Sequence, residues 1–250
     1  MPPSSHRAQG RTSGNRTSRC GSVRPPAQAD PCYRRGVPDQ DRADPTLRER
    51  LSGSALDVAP WLLGAHLTHA GDDGPVTVRI TEVEAYLGAE DPGSHAFRGR
   101  TARNASMFGS AGHLYVYFTY GMHYCANIVC GTEGWATGVL LRAGEIVDGA
   151  ELARERRSRP ASDLDLARGP ARLAQALGLD RRFDGSDALA DPFRLVLPDE
   201  QPALVERGPR VGVSGAAGTE EYPWRFWLPA EPTVSRFRPG KRHPVRTVEP

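Results

Sequence analysis

Glu82 and Glu84 stand two residues apart in the run RITEVEAY (79–86), whose β-branched and aromatic residues read as a strand. Side chains two apart on a strand share a face, so Ile80, Glu82, Glu84 and Tyr86 are expected together, with Thr81, Val83 and Ala85 opposite. Two carboxylates on one face disfavour each other's ionisation, and burial raises a carboxyl pKa further. A carboxylate raised in this way could act as a general base that activates water. An isolated Glu-x-Glu is more often a solvated polar face on an edge strand. The pattern gains weight only from its neighbours.

In the run HLYVYFT (113–119), Tyr115, Tyr117 and Thr119 fall on one strand face, with Leu114, Val116 and Phe118 on the other. Aromatic stripes usually belong to a core, but a buried tyrosine hydroxyl needs a polar partner. Tyr120-Gly121 then separates this run from 122–130, as in a tight hairpin. A large aromatic at a hairpin tip has no core to join. Tyr120, with Met122 beside it, is therefore a candidate wedge that enters a duplex and fills the space of an extruded base. Asn127 lies in the second run, and asparagine inside a strand is disfavoured unless it has a partner. His95 sits in the loop after the Glu84 strand. Arg98, Arg100 and Arg103, in the same loop, could meet phosphates or simply face solvent. No metal-ligand spacing links His66, His69, His113 and His123.

These residues need a scaffold of short strands. Ser54-Ala-Leu-Asp57, followed by Val58 and Trp61-Leu62-Leu63, reads as a capped short helix ended by Gly64. A strand is expected from Leu67, then a turn at Gly71–Gly74, then strands over Val76–Tyr86, 113–119, 122–130 and 137–143. Later strands are expected at 193–197, 210–213 and 224–228. Glu145–Arg157 and Gly169–Leu179 read as helices. Runs of strands with helices segregated around them predict an α+β domain with a mixed or antiparallel sheet.

A chain of 250 residues suits one domain with a tail, and its 38% hydrophobic share is low for a compact protein. The deficit lies at the N-terminus, where Arg7, Arg11, Arg16, Arg19 and Arg24 occur with no acid before Asp30. Such a segment cannot bury enough apolar surface to offset its ordering entropy. Residues 1–45 are therefore expected to be a disordered basic tail, 46–238 the folded domain and 239–250 a second tail. Net charge is only +2, so any surface for nucleic acid must be a local patch. Lys241 is the sole lysine. Arginine's fork suits phosphate, but GC-rich coding produces the same bias. Cys20, Cys32, Cys125 and Cys130 form no CxxC pair, which argues against a zinc site or disulfide framework. No apolar run approaches the ~18 residues of a membrane span, and there is no secretory segment. A soluble cytoplasmic protein is expected.

Three stretches carry a resemblance: TEVEAYLGAEDPGSHAFRGRTARNASMF (81–108), LYVYFTYGMHYCANI (114–128) and VLLRA (139–143). They resemble the alkyladenine (3-methyladenine) DNA glycosylase family of monofunctional base-excision enzymes. RGPARLAQALGL (168–179) and GPRVGVSG (208–215) resemble its later segments, so the resemblance covers about 46–238. It implies that Glu84 is the general base deprotonating the attacking water, and that Arg142 and the backbone carbonyl of Val211 help hold that water. It implies Tyr86, His95 and Tyr117 as walls around the flipped base, Asn127 as a lining residue that restricts what fits, and Tyr120 as the intercalating tyrosine. Glu82 receives no role. The implied fold is a single α+β domain with a curved, mainly antiparallel sheet, flanking helices and a protruding β-hairpin. The implied partner is double-stranded DNA containing damaged purines, met by a monomer without a cofactor.

Glycosylases that also cut the backbone form a Schiff base through an amine. Lys241, the one internal amine, is far in sequence from the cluster, so a water nucleophile and no strand cleavage are expected. Two other readings fit the residues alone. One is a nucleoside or O-glycoside hydrolase using Glu82 and Glu84 as its carboxylate pair. The other is a damage-binding module, which needs no base.

Overall fold

The computed structural model describes residues 45–158 and 160–240. The expected basic tail before residue 45, and residues 241–250 of the expected second tail, lie outside them. Two short helices, α1 (Pro45–Leu51) and α2 (Ala55–Trp61), open the fold. Ser54 caps α2 as its sequence position predicts: its hydroxyl oxygen accepts from the Leu56 N–H at 3.3 Å. A hairpin follows, β1 (His66–Gly71) and β2 (Gly74–Tyr86), and then, after a long loop, a second one, β3 (Leu114–Thr119) and β4 (His123–Cys130). Next come β5 (Thr137–Asp148), α3 (Ala150–Arg157) and α4 (Pro170–Ala176). Three short strands, β6 (Phe193–Val196), β7 (Glu206–Gly208) and β8 (Arg225–Trp227), complete the sheet.

All eight strands join one sheet in the order β3-β4-β5-β2-β1-β6, with β8 on β2 and β7 on β8, and each pairing is antiparallel. The fold is α+β. The main core lies on the sheet face that carries the helices, where Leu51, Val58, Leu173 and Leu177 meet Val78, Val116, Ile128 and Leu141. Each fully buried Leu or Val there contributes about 1.5–3 kcal/mol. A smaller cluster, Ala96, Met107, Tyr115, Val129 and Ala136, packs elsewhere and supports the loop carrying His95. Among the described residues no helix is long and apolar enough to cross a membrane.

Strand β2 is central, not an edge strand: β5 runs along one side, β1 and then β8 along the other. Its alternation also changes phase. Opposite β5, Ile80 pairs with Gly144 and Glu82 with Ala143, which leaves Thr81 as an extra residue. Such a bulge re-aims the side chains after it. Val76, Val78 and Ile80 enter the core before the bulge, and Val83 and Ala85 after it. Ile80 therefore does not share the face of Glu82, Glu84 and Tyr86, contrary to the simple two-residue period. Gly144 permits the close approach, because a Cβ there would fall onto Val78 Cγ2 and Arg79 O.

Two other expectations need correction. The helix expected from Glu145 begins only at Ala150, because residues 145–148 continue β5. Glu145 stands opposite Arg79 in β2, whose Nε and Nη2 donate to Glu145 Oε2 at 2.9 and 2.7 Å. Gly149, at φ 72°, then turns the chain into α3. The strand expected at 210–213 is a turn, with β7 lying earlier at 206–208. Arg210 is drawn into the interior and Gly212 takes φ 74°, so the extended path breaks.

Candidate active site

A cavity of about 660 Å³ opens among the end of β2, the β3–β4 hairpin, the 92–95 loop and the 211–214 turn. That volume lies within the usual range of ligand pockets. Glu84, Tyr86, His95, Tyr117, Asn127, Arg142 and Val211 all line it, together with Tyr115, Cys125, Leu140 and Arg238. Seven expected site residues, scattered over 128 positions of sequence, thus share one wall system.

Glu84 is completely buried and held at three points. Its Oε1 accepts the backbone N–H of Val211 at 2.7 Å and lies 3.2 Å from Arg142 Nη1. Its Oε2 accepts the Tyr86 hydroxyl at 2.8 Å. Burial, and then the charge of Glu84, hold the Tyr86 phenol well above its ordinary pKa, so Tyr86 stays a donor. A carboxylate offers about four acceptor positions, and these contacts occupy three of them. The contact Val211 makes with Glu84 runs through its N–H.

Glu82 is engaged elsewhere. Its Oε1 accepts from Arg142 Nε at 2.9 Å, Arg225 Nε at 2.6 Å and the Ser235 hydroxyl at 3.0 Å, and its Oε2 accepts the Ser235 N–H at 2.7 Å. Burial alone would raise its pKa, but Arg142, Arg225 and the Ser235 hydrogen bonds hold it below the ordinary value. For Glu82 the like-charge expectation of a raised pKa fails for that reason: the Arg142 guanidinium reaches both carboxylates. Glu82 also does not line the cavity as a second catalytic carboxylate, which removes the structural basis of the paired-carboxylate hydrolase. Burial opposes the charge on Arg142, yet the nearby Glu84 and Glu82 keep it protonated.

The aromatic wall is interlocked. Tyr117 stacks on Tyr115 at 5.3 Å and 23°, and His95 meets Tyr117 edge-on at 4.6 Å and 83°. His95 Nδ1 is also 3.2 Å from the Tyr115 hydroxyl. Packing of the ring, then the charge of Arg103, lowers the His95 pKa, so the imidazole is neutral at pH 7. Asn127 finds the partner its strand position demands, donating to Tyr115 O at 3.2 Å. Burial pushes the Tyr115 phenol up to about 12. The thiols of Cys125 and Cys130 are free and buried.

The rim is the exposed part. Tyr120 is 85% exposed and Met122 68% exposed, yet Tyr120 still borders the cavity. Tyr120 (φ 51°) and Gly121 (φ 67°) are both left-handed, as a type I′ turn requires, and the Met122 N–H closes the turn on Thr119 O at 3.2 Å. Arg98, Arg100 and Arg103 are exposed on the adjoining loop. Arg103 donates to Phe118 O at 2.9 Å, which ties that loop to the hairpin, and Arg100 covers Phe108. Buried Asn104 shapes the loop from inside, donating to His95 O and Gly99 O and accepting from the Thr101 N–H.

Several site residues escaped the sequence reading. Ser235 and Arg225, which hold Glu82, sit in isolation near the end of the chain and carry no spacing signal. Arg238 borders the cavity from the same segment. Asp91 and Arg210 form a fully buried ion pair behind Tyr86. Arg210 immediately precedes Val211, so the GPRVGV stretch did contain the clue.

The family model for methylpurine-DNA glycosylase matches residues 49–232. A protein of Leifsonia xyli subsp. xyli, named "Putative 3-methyladenine DNA glycosylase", is 57% identical over 203 residues, which cover 79% of this chain and 93% of the relative. A Streptomyces avermitilis protein of the same name is 57% identical over 201 residues, covering 78% of this chain and 92% of the relative. One from Nocardia farcinica is 53% identical over 192 residues, covering 73% and 87%. The chain therefore belongs to the methylpurine-DNA glycosylase family.

Proposed function

We propose that this protein is a monofunctional DNA glycosylase that flips alkylated or otherwise damaged purines of the 3-methyladenine type out of duplex DNA and hydrolyses the N-glycosidic bond. The observation that carries the reading is Glu84, clamped at the cavity wall by Tyr86, Val211 and Arg142. A water accepted there loses a proton to Glu84 as its oxygen bonds to C1′. The electron pair of the C1′–N bond leaves with the purine. N3- or N7-alkylated purines are cationic and depart neutral, so they need no general acid. Their charge also suits a pocket walled by Tyr86 and Tyr117, each such contact being worth ~0.5–2 kcal/mol. Arg142, and Val211 through its backbone, hold the water and its base in place. His95 and Asn127 limit which base enters.

Tyr120, with Met122, fills the gap left by the flipped base, and Arg98, Arg100, Arg103 and Arg238 meet phosphates around it. The glycosylase domain spans 46–238, with a basic tail on each side, and acts as a monomer on double-stranded DNA in the cytoplasm. Water and Glu84 supply the chemistry, so no cofactor is required and no strand is cut.

Single-turnover release of free purines from methylated duplex DNA, wild type against Glu84→Gln, tests the reading. Release by wild type and near-total loss in the variant, with DNA binding kept, is the expected result. Binding without release by either protein overturns it in favour of a damage-recognition module.

A further inference from the structure

Arg210 has no exposed surface, and its Cζ lies 4.6 Å from the ring centre of Tyr86 and 5.0 Å from that of Trp224. Tyr86 lines the cavity and Arg210 does not, so a base stacked on the ring face away from the guanidinium would have the ring between them. All five guanidinium N–H groups are used. Two go to Asp91, at 2.6 and 2.7 Å, one to Ala85 O at 3.0 Å and two to Ala217 O at 3.1 and 3.3 Å. No donor is left over for a ligand. Asp91 has no exposed surface either.

A ring with a cation against one face attracts a second cation more weakly on the other. A base stacked on Tyr86 would lie ~3.5 Å beyond it, in a water-poor setting where charges screen each other little. An uncompensated Arg210 would therefore oppose the cationic purines that the pocket is built to favour. Packing alone does not explain the pair, because a buried ion pair replaced by apolar side chains of similar volume is often neutral for stability.

We infer that Asp91 and Arg210 form a specificity-determining pair: Arg210 braces the back of Tyr86, and Asp91 cancels its charge so that the ring can accept a cationic base. The inference rests on the reading of the cavity as a purine pocket. It makes Asp91 selective for substrate charge without touching substrate.

The test is single-turnover release from duplexes carrying either 7-methylguanine, a cation, or hypoxanthine, which is neutral, with melting curves as a control for folding. D91N should lower the ratio of cationic to neutral release at least about tenfold. The double variant D91N/R210M, which removes both charges, should return the ratio to within about threefold of wild type. R210M alone adds no cation, so its ratio should stay at or above wild type, and this arm stands even where D91N does not fold. Equal slowing of both substrates by D91N, a double variant that keeps the D91N ratio, or a fall in R210M overturns the inference. A wild type that releases neither base refutes the glycosylase reading instead.

Discussion

Arg142 stands between the two buried carboxylates of β2, its Nε donating to Glu82 Oε1 at 2.9 Å and its Nη1 lying 3.2 Å from Glu84 Oε1. One guanidinium is thus shared between a carboxylate that faces the cavity and one that does not. Glu82 and Arg225 complete a buried set of two acids and two arginines whose charges balance. Arg142 is held in one orientation by Glu82, and it presents that orientation to Glu84. The bulge at Thr81 makes this possible by turning Glu82 and Glu84 away from the core.

Replacing Glu82 by glutamine should therefore be costly. It leaves Arg142 and Arg225 short of an anion in the interior, and breaking a buried pair from one side typically costs about 3–5 kcal/mol. Chemical denaturation at neutral pH should show a loss of that order, and purine release should slow as Arg142 shifts. The pH dependence has a definite sign. The Glu82 carboxyl is held below its ordinary 4.5 in the folded state. Its stabilisation is present above that value and lost as pH falls through the lower folded one. Wild type should lose stability across that acid window more steeply than Glu82→Gln. Equal slopes would mean that Glu82 is not ionised in the fold.

Tyr120, the proposed wedge, is the opposite case, a residue with little to hold in the fold. At 85% exposed, its removal should leave the melting temperature nearly unchanged. Stacking of a base on an aromatic ring is worth ~1–3 kcal/mol, so Tyr120→Ala should slow single-turnover release by about tenfold or more. Tyr120→Phe should keep most of the rate if, as proposed, the ring and not the hydroxyl fills the gap. Unchanged release by the alanine variant would remove Tyr120 from the flipping step.

How much of this was legible in sequence follows from the range of the forces involved. The Ser54 cap and the Tyr120-Gly121 turn depend on neighbours within three or four residues, and both stand where the pattern puts them. The Glu84–Tyr86 pair was legible because two residues on one strand settle their own geometry. The phase change at Thr81 was not, since a bulge is decided by the partner strand, here Gly144 in β5. Residues 145–148 resembled the start of a helix until Arg79 paired with Glu145 across the sheet. Arg225, Ser235 and the Asp91–Arg210 pair were invisible for the same reason. Each meets its partner across more than a hundred residues of chain or from a loop without a pattern.

If His95 walls the base as proposed, the protein should show a pH-dependent selectivity. Packing of its ring, then Arg103, depresses its pKa below the ordinary 6.5, so it is neutral at pH 7 and gains a proton only in more acidic solution. A protonated His95 would repel a cationic base and leave a neutral one almost unaffected. Release of 7-methylguanine should thus fall faster than release of hypoxanthine as pH drops below about 6.5, and His95→Gln should abolish the divergence. Its effect on stability has the matching sign: the depressed value favours the fold above 6.5, and that contribution declines as pH falls towards the folded pKa. Parallel pH profiles for the two lesions in wild type would exclude His95 from charge selection.

Lys241 calls for a different kind of test, because distance along the chain is a poor guide here. Gly240, the residue before it, lies so close to Val213 that a Cβ would fall onto the Val213 carbonyl oxygen, and Val213 lines the cavity. If Glu84 activates a water, as proposed, no amine is needed at C1′. Borohydride added during turnover on methylated duplex DNA should trap no covalent adduct, and Lys241→Ala should release purines within about twofold of the wild-type rate. An adduct that forms with wild type and vanishes in Lys241→Ala would show an amine attacking C1′, and strand cleavage would then belong to the reaction.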